Sequence, residues 1–260
     1  MGPALGERQA MAKASIGRIP KKLSKEPLLE AIWELRFEGE PATAGALPGL
    51  LYEKCRADGR EMKIQTLPLA SVPPDVRNAQ EPLRYSATSI LRVENYAILT
   101  GDHIAALSVT RPYPGWSTLR KNILQLAGWL RRSKMIGKPQ RATLRYLDFF
   151  PRPAEASQSL RLEIRAGDWH PESGDLKLQM SIKTGPFDGV IQIMSPTTVT
   201  IGDKLEQGLV TDLQVTWQAE ASGDFWKDLR QTLPEAKKAC HQLFFGLLTE
   251  ETLTAHMPIY

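Results

Sequence analysis

The chain has 260 residues, 42% hydrophobic, 24% charged and 7% aromatic, with a formal net charge of +4, a composition that suits one large or two small globular domains and excludes a chain disordered or fibrous throughout. Its longest apolar run is about five residues, Phe244 to Leu248, against the roughly 20 that a membrane-spanning helix needs, so no integral membrane segment is expected. The opening Met-Gly-Pro-Ala-Leu-Gly lacks a secretion core and has Gly6 where myristoylation wants Ser or Thr, and Cys55 and Cys240 form neither a metal spacing nor a disulfide framework; together these predict a reducing cytoplasm.

In chain order, residues 1–25 read as a flexible basic arm without a sustained apolar period, with Met11 as a second candidate start. Ala31, Trp33, Leu35 and Phe37 alternate with Glu34 and Arg36, a half-buried strand. A short helix near Ala46 to Arg56 and a connector rich in proline (Pro68, Pro73, Pro74, Pro82) follow. Tyr85 to Val93, Tyr96 to Thr100 and His103 to Thr110 predict an antiparallel meander with Glu94-Asn95 and Gly101-Asp102 as turns. Ser117 is the expected cap of a helix carrying Leu119, Ile123, Leu126, Ala127 and Leu130 on one stripe and ending near Gly137-Lys138-Pro139. Ala142 to Phe150 returns to strand.

The second half uses the same order of elements. Strands are expected at Leu160 to Ile164, Leu176 to Ile182, Val190 to Ser195 and Leu209 to Trp217, and Asp224 is the expected cap of a closing helical region reaching Leu248. Pro234 predicts a break or restart within it. The fold class is therefore α+β: two similar units, residues 26–150 and 151–260, each an antiparallel meander with a long packed helix.

Charge is unevenly placed. Residues 1–25 carry +5, 26–102 carry −4, 103–147 carry nine basic residues and no acid, and 148–260 carry −6. A basic stretch confined in this way points to a face rather than to general attraction for polyanions, either a solvated one paired with the acidic second half or one that binds a polyanion, a nucleotide or an acidic protein. Its candidates are Arg120, Lys121, Arg131, Arg132, Lys134 and Lys138 off the apolar stripe of the helix and Arg141 and Arg145 on the next strand. Tyr113 and Trp116 stand just before the helix, placed to stack a base or to staple the helix to the sheet.

Catalytic signatures are missing from the sequence: it has no phosphate-binding glycine loop, no Gly-x-Ser-x-Gly and no His-Glu-x-x-His. Asp102-His103 and Asp168-Trp169-His170 sit at turns that explain their aspartates without chemistry. Cys240 and His241 are neighbours on a helix and do not face each other. His241 is expected to hydrogen-bond a strand. Asp148 and Asp212 fall on strands, where a paired polar position is the simpler reading than a metal site. No catalytic residue, metal or cofactor is assigned.

Three segments carry a resemblance: Pro27 to Phe37; Pro112-Tyr113-Pro114-Gly115-Trp116 with Arg141-Ala142-Thr143-Leu144-Arg145-Tyr146-Leu147; and His241, Phe244, Phe245, Leu248 with Thr249-Glu250-Glu251. In order and spacing they resemble a sporadically distributed family of bacterial proteins of about this length and unknown function, although this chain has Asp148 where such members carry Asn. A patchy distribution implies a mobile setting such as defence, toxin-antitoxin or phage-related genes. The expected function is a non-catalytic regulatory protein that binds a protein partner through the basic face. A nucleic-acid or nucleotide binder, and an enzyme with its site between the two units, are the alternatives.

Overall fold

The computed structural model describes residues 18–40, 42–151, 159–164, 167–168, 175–220 and 223–260. Most strands join one antiparallel sheet. In chain order the elements are β1 (Lys22–Leu23), β2 (Leu28–Gly39), α1 (Thr43–Ala57), β3 (Lys63–Thr66), α2 (Pro74–Ala79), α3 (Glu81–Arg84), β4 (Ser89–Val93), β5 (Tyr96–Thr100), β6 (Ile104–Thr110) and α4 (Trp116–Ser133). They continue with β7 (Ile136–Pro151), β8 (Leu176–Thr184), β9 (Phe187–Ile201), β10 (Lys204–Gln218), α5 (Phe225–Leu247), α6 (Glu250–Ala255) and β11 (Pro258–Ile259). The nine-stranded sheet has the order β3-β4-β5-β6-β2-β7-β10-β9-β8, and β1 pairs with β11 in a separate ribbon. The α+β class is as expected.

β6 returns antiparallel beside β2 and is followed by α4, and β10 returns beside β7 and is followed by α5, but the first half also carries α1, β3, α2 and α3 between β2 and β4, with β3 paired to β4. The two expected units share one sheet, because β7 hydrogen-bonds β2 on one edge and β10 on the other. Strand periodicity decides which face is covered. Trp33, Leu35 and Phe37 of β2, Ala142, Leu144 and Tyr146 of β7 and Val215 and Trp217 of β10 turn to the helices, where they meet Leu119, Ile123, Leu126 and Leu130 of α4 and Leu229, Leu233 and Ala236 of α5 in one core. Each such aliphatic side chain contributes about 1.5–3 kcal/mol by leaving water. The alternate residues, among them Glu34, Arg36, Thr143, Arg145, Asp212 and Gln214, form the opposite, polar face.

Several sequence expectations are corrected. Within the expected arm, residues 18–25 are ordered against the C-terminal segment: Leu23 is 3% exposed in a second core cluster with Phe150, Leu213, Phe245 and Leu248, and Lys21 N donates to Ile259 O at 2.6 Å. Met11 lies outside the described residues. Gly115, not Ser117, is the N-cap of α4, at φ 86°, a conformation open to glycine. The helix stops at Ser133 with Lys134 left-handed at φ 58°, and Gly137-Lys138-Pro139 belongs to β7. Leu160 to Ile164 is not a strand. Leu160 bridges Leu248, and Arg161 donates from its backbone to Leu247 O and from Nε to Leu248 O, capping the end of α5.

Pro234 does not break α5, which is continuous. Proline leaves the carbonyl four residues back without its usual donor. That carbonyl, Arg230 O, accepts from Arg120 Nη2 at 3.2 Å.

Candidate functional site

The basic stretch does not form one face. Of its ten candidate residues, the fold gathers Arg131, Arg132 and Lys134 at the end of α4, where they line a groove against α5 together with Arg230, Trp226, Leu229, Leu124, Ala127 and Gly128. The groove measures about 560 Å³. Cations in the last helical turn also complement its exposed carbonyls. Arg132 lies back over Gly128, and Arg131 Nη2 is 3.4 Å from Asp224 Oδ2, both side chains about half exposed. Asp224 is the expected cap of α5, accepting from the backbone N–H groups of Trp226 and Lys227 at 3.1 and 3.3 Å. Lys121 is exposed on α4, whereas Arg120 is half-buried and committed to the Arg230 carbonyl.

The strand residues separate from this groove for a simple reason: on β7, Arg141 and Arg145 alternate with core-facing Ala142, Leu144 and Tyr146 and so point to the polar face, away from the helices. Arg145 binds Asp212 with both arms, Nε to Oδ1 at 2.8 Å and Nη2 to Oδ2 at 2.5 Å. That hydrogen bonding raises the arginine's already high pKa. Arg141 is half-buried on this face, and Lys138 is exposed at the start of β7. Trp116 packs at the start of α4 against the core, and Tyr113 enters a different cavity, so neither stands over the groove.

That cavity lies at the seam of the sheet. It is about 100 Å³ in volume and is bounded by the segment Lys21 to Leu28, by Tyr113, by Tyr146 and Asp148 of β7, by Leu213 of β10, and by Lys237, Cys240, His241, Phe244 and Phe245 of α5. Asp148 sits directly opposite Thr211 of β10 and faces the helices, while Asp212 faces the other way; the two aspartates are therefore on opposite sides of the sheet and do not form a joint metal site. Asp148 is 4% exposed. Burial pushes its carboxyl up to about 7, against the pull of Lys237 and Arg111. Arg111 stays close because it donates to the carbonyls of Pro27 (2.7 Å) and Leu28, the segment that covers the cavity.

On α5, Lys237 rests its Nζ 4.2 Å from the centre of the Tyr146 ring, and burial lowers its pKa. Burial raises the Tyr113 hydroxyl to about 12 and also pushes Tyr146 well above its ordinary value. These two hydroxyls influence each other, yet neither finds a partner with good hydrogen-bond geometry. Cys240 Sγ points to Leu144 O, with its thiol pushed up by burial to about 12, far from a reactive thiolate. His241 Nε2 bonds the Lys21 carbonyl at 3.3 Å, one residue before β1 rather than within a strand as expected. Sequence reading missed Lys237. Its one signal was position: it lies three and four residues before Cys240 and His241, at the edge of the buried stripe.

The remaining candidates lie away from both the groove and the seam cavity or outside the described residues. Asp102 is not merely a turn residue, because its carboxylate holds both arms of the buried Arg77 at 2.6 and 3.0 Å. His103 accepts from Gly39 N through Nδ1 and meets Asn78 Oδ1 through Nε2, each at 3.1 Å, and burial lowers its pKa. Asp168 is exposed in a turn, whereas Trp169 and His170 lie outside the described residues. No helix among the described residues is long and apolar enough to cross a membrane. No protein-family profile matches the chain, and no curated protein resembles it at a significant level.

Proposed function

We propose that this chain is a non-catalytic regulatory protein of the bacterial cytoplasm that binds an acidic segment of a protein partner in the groove between α4 and α5. The setting, a mobile defence or toxin-antitoxin type system, follows from the resemblance of its sequence segments alone. The observation that carries the reading is the pairing of four cations, Arg131, Arg132, Lys134 and Arg230, with an apolar floor of Trp226, Leu229 and Leu124. Cations alone would suit a phosphate backbone equally well. The apolar floor favours a segment that mixes carboxylates with hydrophobic side chains.

The test is the triple change Lys121→Glu, Arg131→Glu, Arg132→Glu. The only ion pair it breaks among the described residues is the exposed one with Asp224, worth about 0–1 kcal/mol, and placing two anions in the last turn of α4 costs about 0.3–1 kcal/mol each, so the protein stays folded with a modest loss of thermal stability. Affinity for a partner recovered by pull-down from the native host is expected to fall at least about tenfold, as losing several charge contacts requires. A steep linear fall of log affinity with log salt would identify nucleic acid instead. Unchanged binding to every recovered partner would reduce the groove to a solvated surface.

A further inference from the structure

The seam cavity holds more hydrogen-bond capacity than the chain uses. Among the described residues, eight buried side-chain polar atoms lack a well-formed partner; the Tyr113 and Tyr146 hydroxyls both line this cavity and have only a poorly aligned hydrogen bond to each other, and Thr211 Oγ1 stands across the strand pair from Asp148. Each such atom costs on the order of 1–3 kcal/mol when left unpaired. Lys237 adds an ammonium that forms no ion pair among the described residues and lies 4.2 Å from the centre of the Tyr146 ring. Acceptors are scarcer. The Lys21 carbonyl is taken by His241, the Leu144 carbonyl by Cys240, and the Pro27 and Leu28 carbonyls by Arg111. Asp148 is buried beside them with its carboxyl pushed up to about 7, so that below that pH it too presents a proton. Lys21, Lys22 and Glu26 are exposed at the rim and leave it net positive.

A surplus of donors calls for a ligand head that only accepts, and a carboxylate does so with two oxygens and about four lone-pair sites. The rest of the lining, Leu28, Leu213, Phe244 and Phe245, is apolar. We propose that this cavity binds a small aliphatic monocarboxylate, its oxygens hydrogen-bonded by Tyr113, Tyr146 and Lys237 and its short tail lying against those four side chains. With about 100 Å³ available, less than the roughly 150 Å³ that holds benzene, the tail is a few carbons long.

Butyrate is the probe, with butylamine and butanamide as equal-sized controls, titrated calorimetrically into the full chain. Butyrate is expected to bind and to raise the melting temperature, and both controls to bind at least about tenfold more weakly. Lys237→Met and Tyr146→Phe should each weaken butyrate at least about tenfold, the size of one lost charge-assisted or buried hydrogen bond. Tyr113→Phe, which removes a single unpartnered oxygen, serves if Lys237→Met fails to fold. The triple reversal of the α4 cations should leave butyrate binding unchanged, which separates this site from the groove. Preference for butylamine, equal binding of butanamide, binding that survives both substitutions, or no binding of butyrate to the wild-type chain would each overturn the assignment.

Discussion

At the scale of single residues, the buried charges decide most. Asp102→Ala leaves Arg77, 4% exposed, with only the carbonyls of Val72 and Leu69 for its five N–H groups. Breaking a buried pair from one side costs about 3–5 kcal/mol, and urea denaturation should show a loss of that order, not the neutral result that a mere turn residue would give. Asp148 makes a pH prediction with a definite sign. Its carboxyl is near 7 folded against 3.8 as the ordinary value, so the folded state binds the extra proton. Its contribution is then complete below about 4 and is lost as pH rises through 7. Asp148→Asn removes that dependence. Between pH 4 and 8 the variant should gain on wild type by a few kcal/mol, about 1.4 per unit of displacement. Lys237, Arg111, Glu26, Tyr146 and Cys240 are the charged and titratable groups around the pair. Lys237, whose pKa is lowered, acts with the opposite sign and at higher pH. A difference that does not grow with pH would show that Asp148 ionises freely.

At the scale of elements, alternation and helical spacing made strand β8 and the apolar stripe of α4 legible, because each has one wetter face, whereas the meander β4 to β6, whose last strand is buried on both faces, was marked by its turns. Elements held by distant partners were not legible. Nothing local in Lys22-Leu23 announces a strand, since its reason is β11 at the other end of the chain. Deleting residues 1–24 should therefore lower the melting temperature by several degrees, because burying one leucine is worth about 1.5–3 kcal/mol and each kcal/mol moves a domain of this size by about 2–4 °C. Scanning calorimetry checks it. The continuity of α5 was hidden in the same way, because the donor that tolerates Pro234 comes from Arg120 on another helix. Arg120→Ala should cost about 1 kcal/mol in the wild-type background and much less with Pro234→Ala, where the helix supplies its own donor. A double-mutant cycle that returns no coupling would separate the two residues. Of the candidate site, the cations were visible as a charge run, but their division between groove and polar face follows from strand alternation against the helix layer.

At the scale of the molecule, the main core takes β2, α1 and α4 from the first half together with β10 and α5 from the second. A sheet joined through β2, β7 and β10 should unfold in urea as one transition, with tryptophan fluorescence and far-ultraviolet dichroism superimposing. Two resolved transitions would mean that the halves stand alone. The ribbon of β1 with β11 extends this dependence into time. Lys21 and His241 are 220 residues apart in sequence, yet they meet at the wall of the seam cavity. During synthesis the segment that covers Asp148 leaves the ribosome before the helix it rests on exists, so the cavity can be completed only after α5 has been translated. A nascent chain arrested before α5 lacks that wall, which makes its closure a marker that α5 has been synthesised.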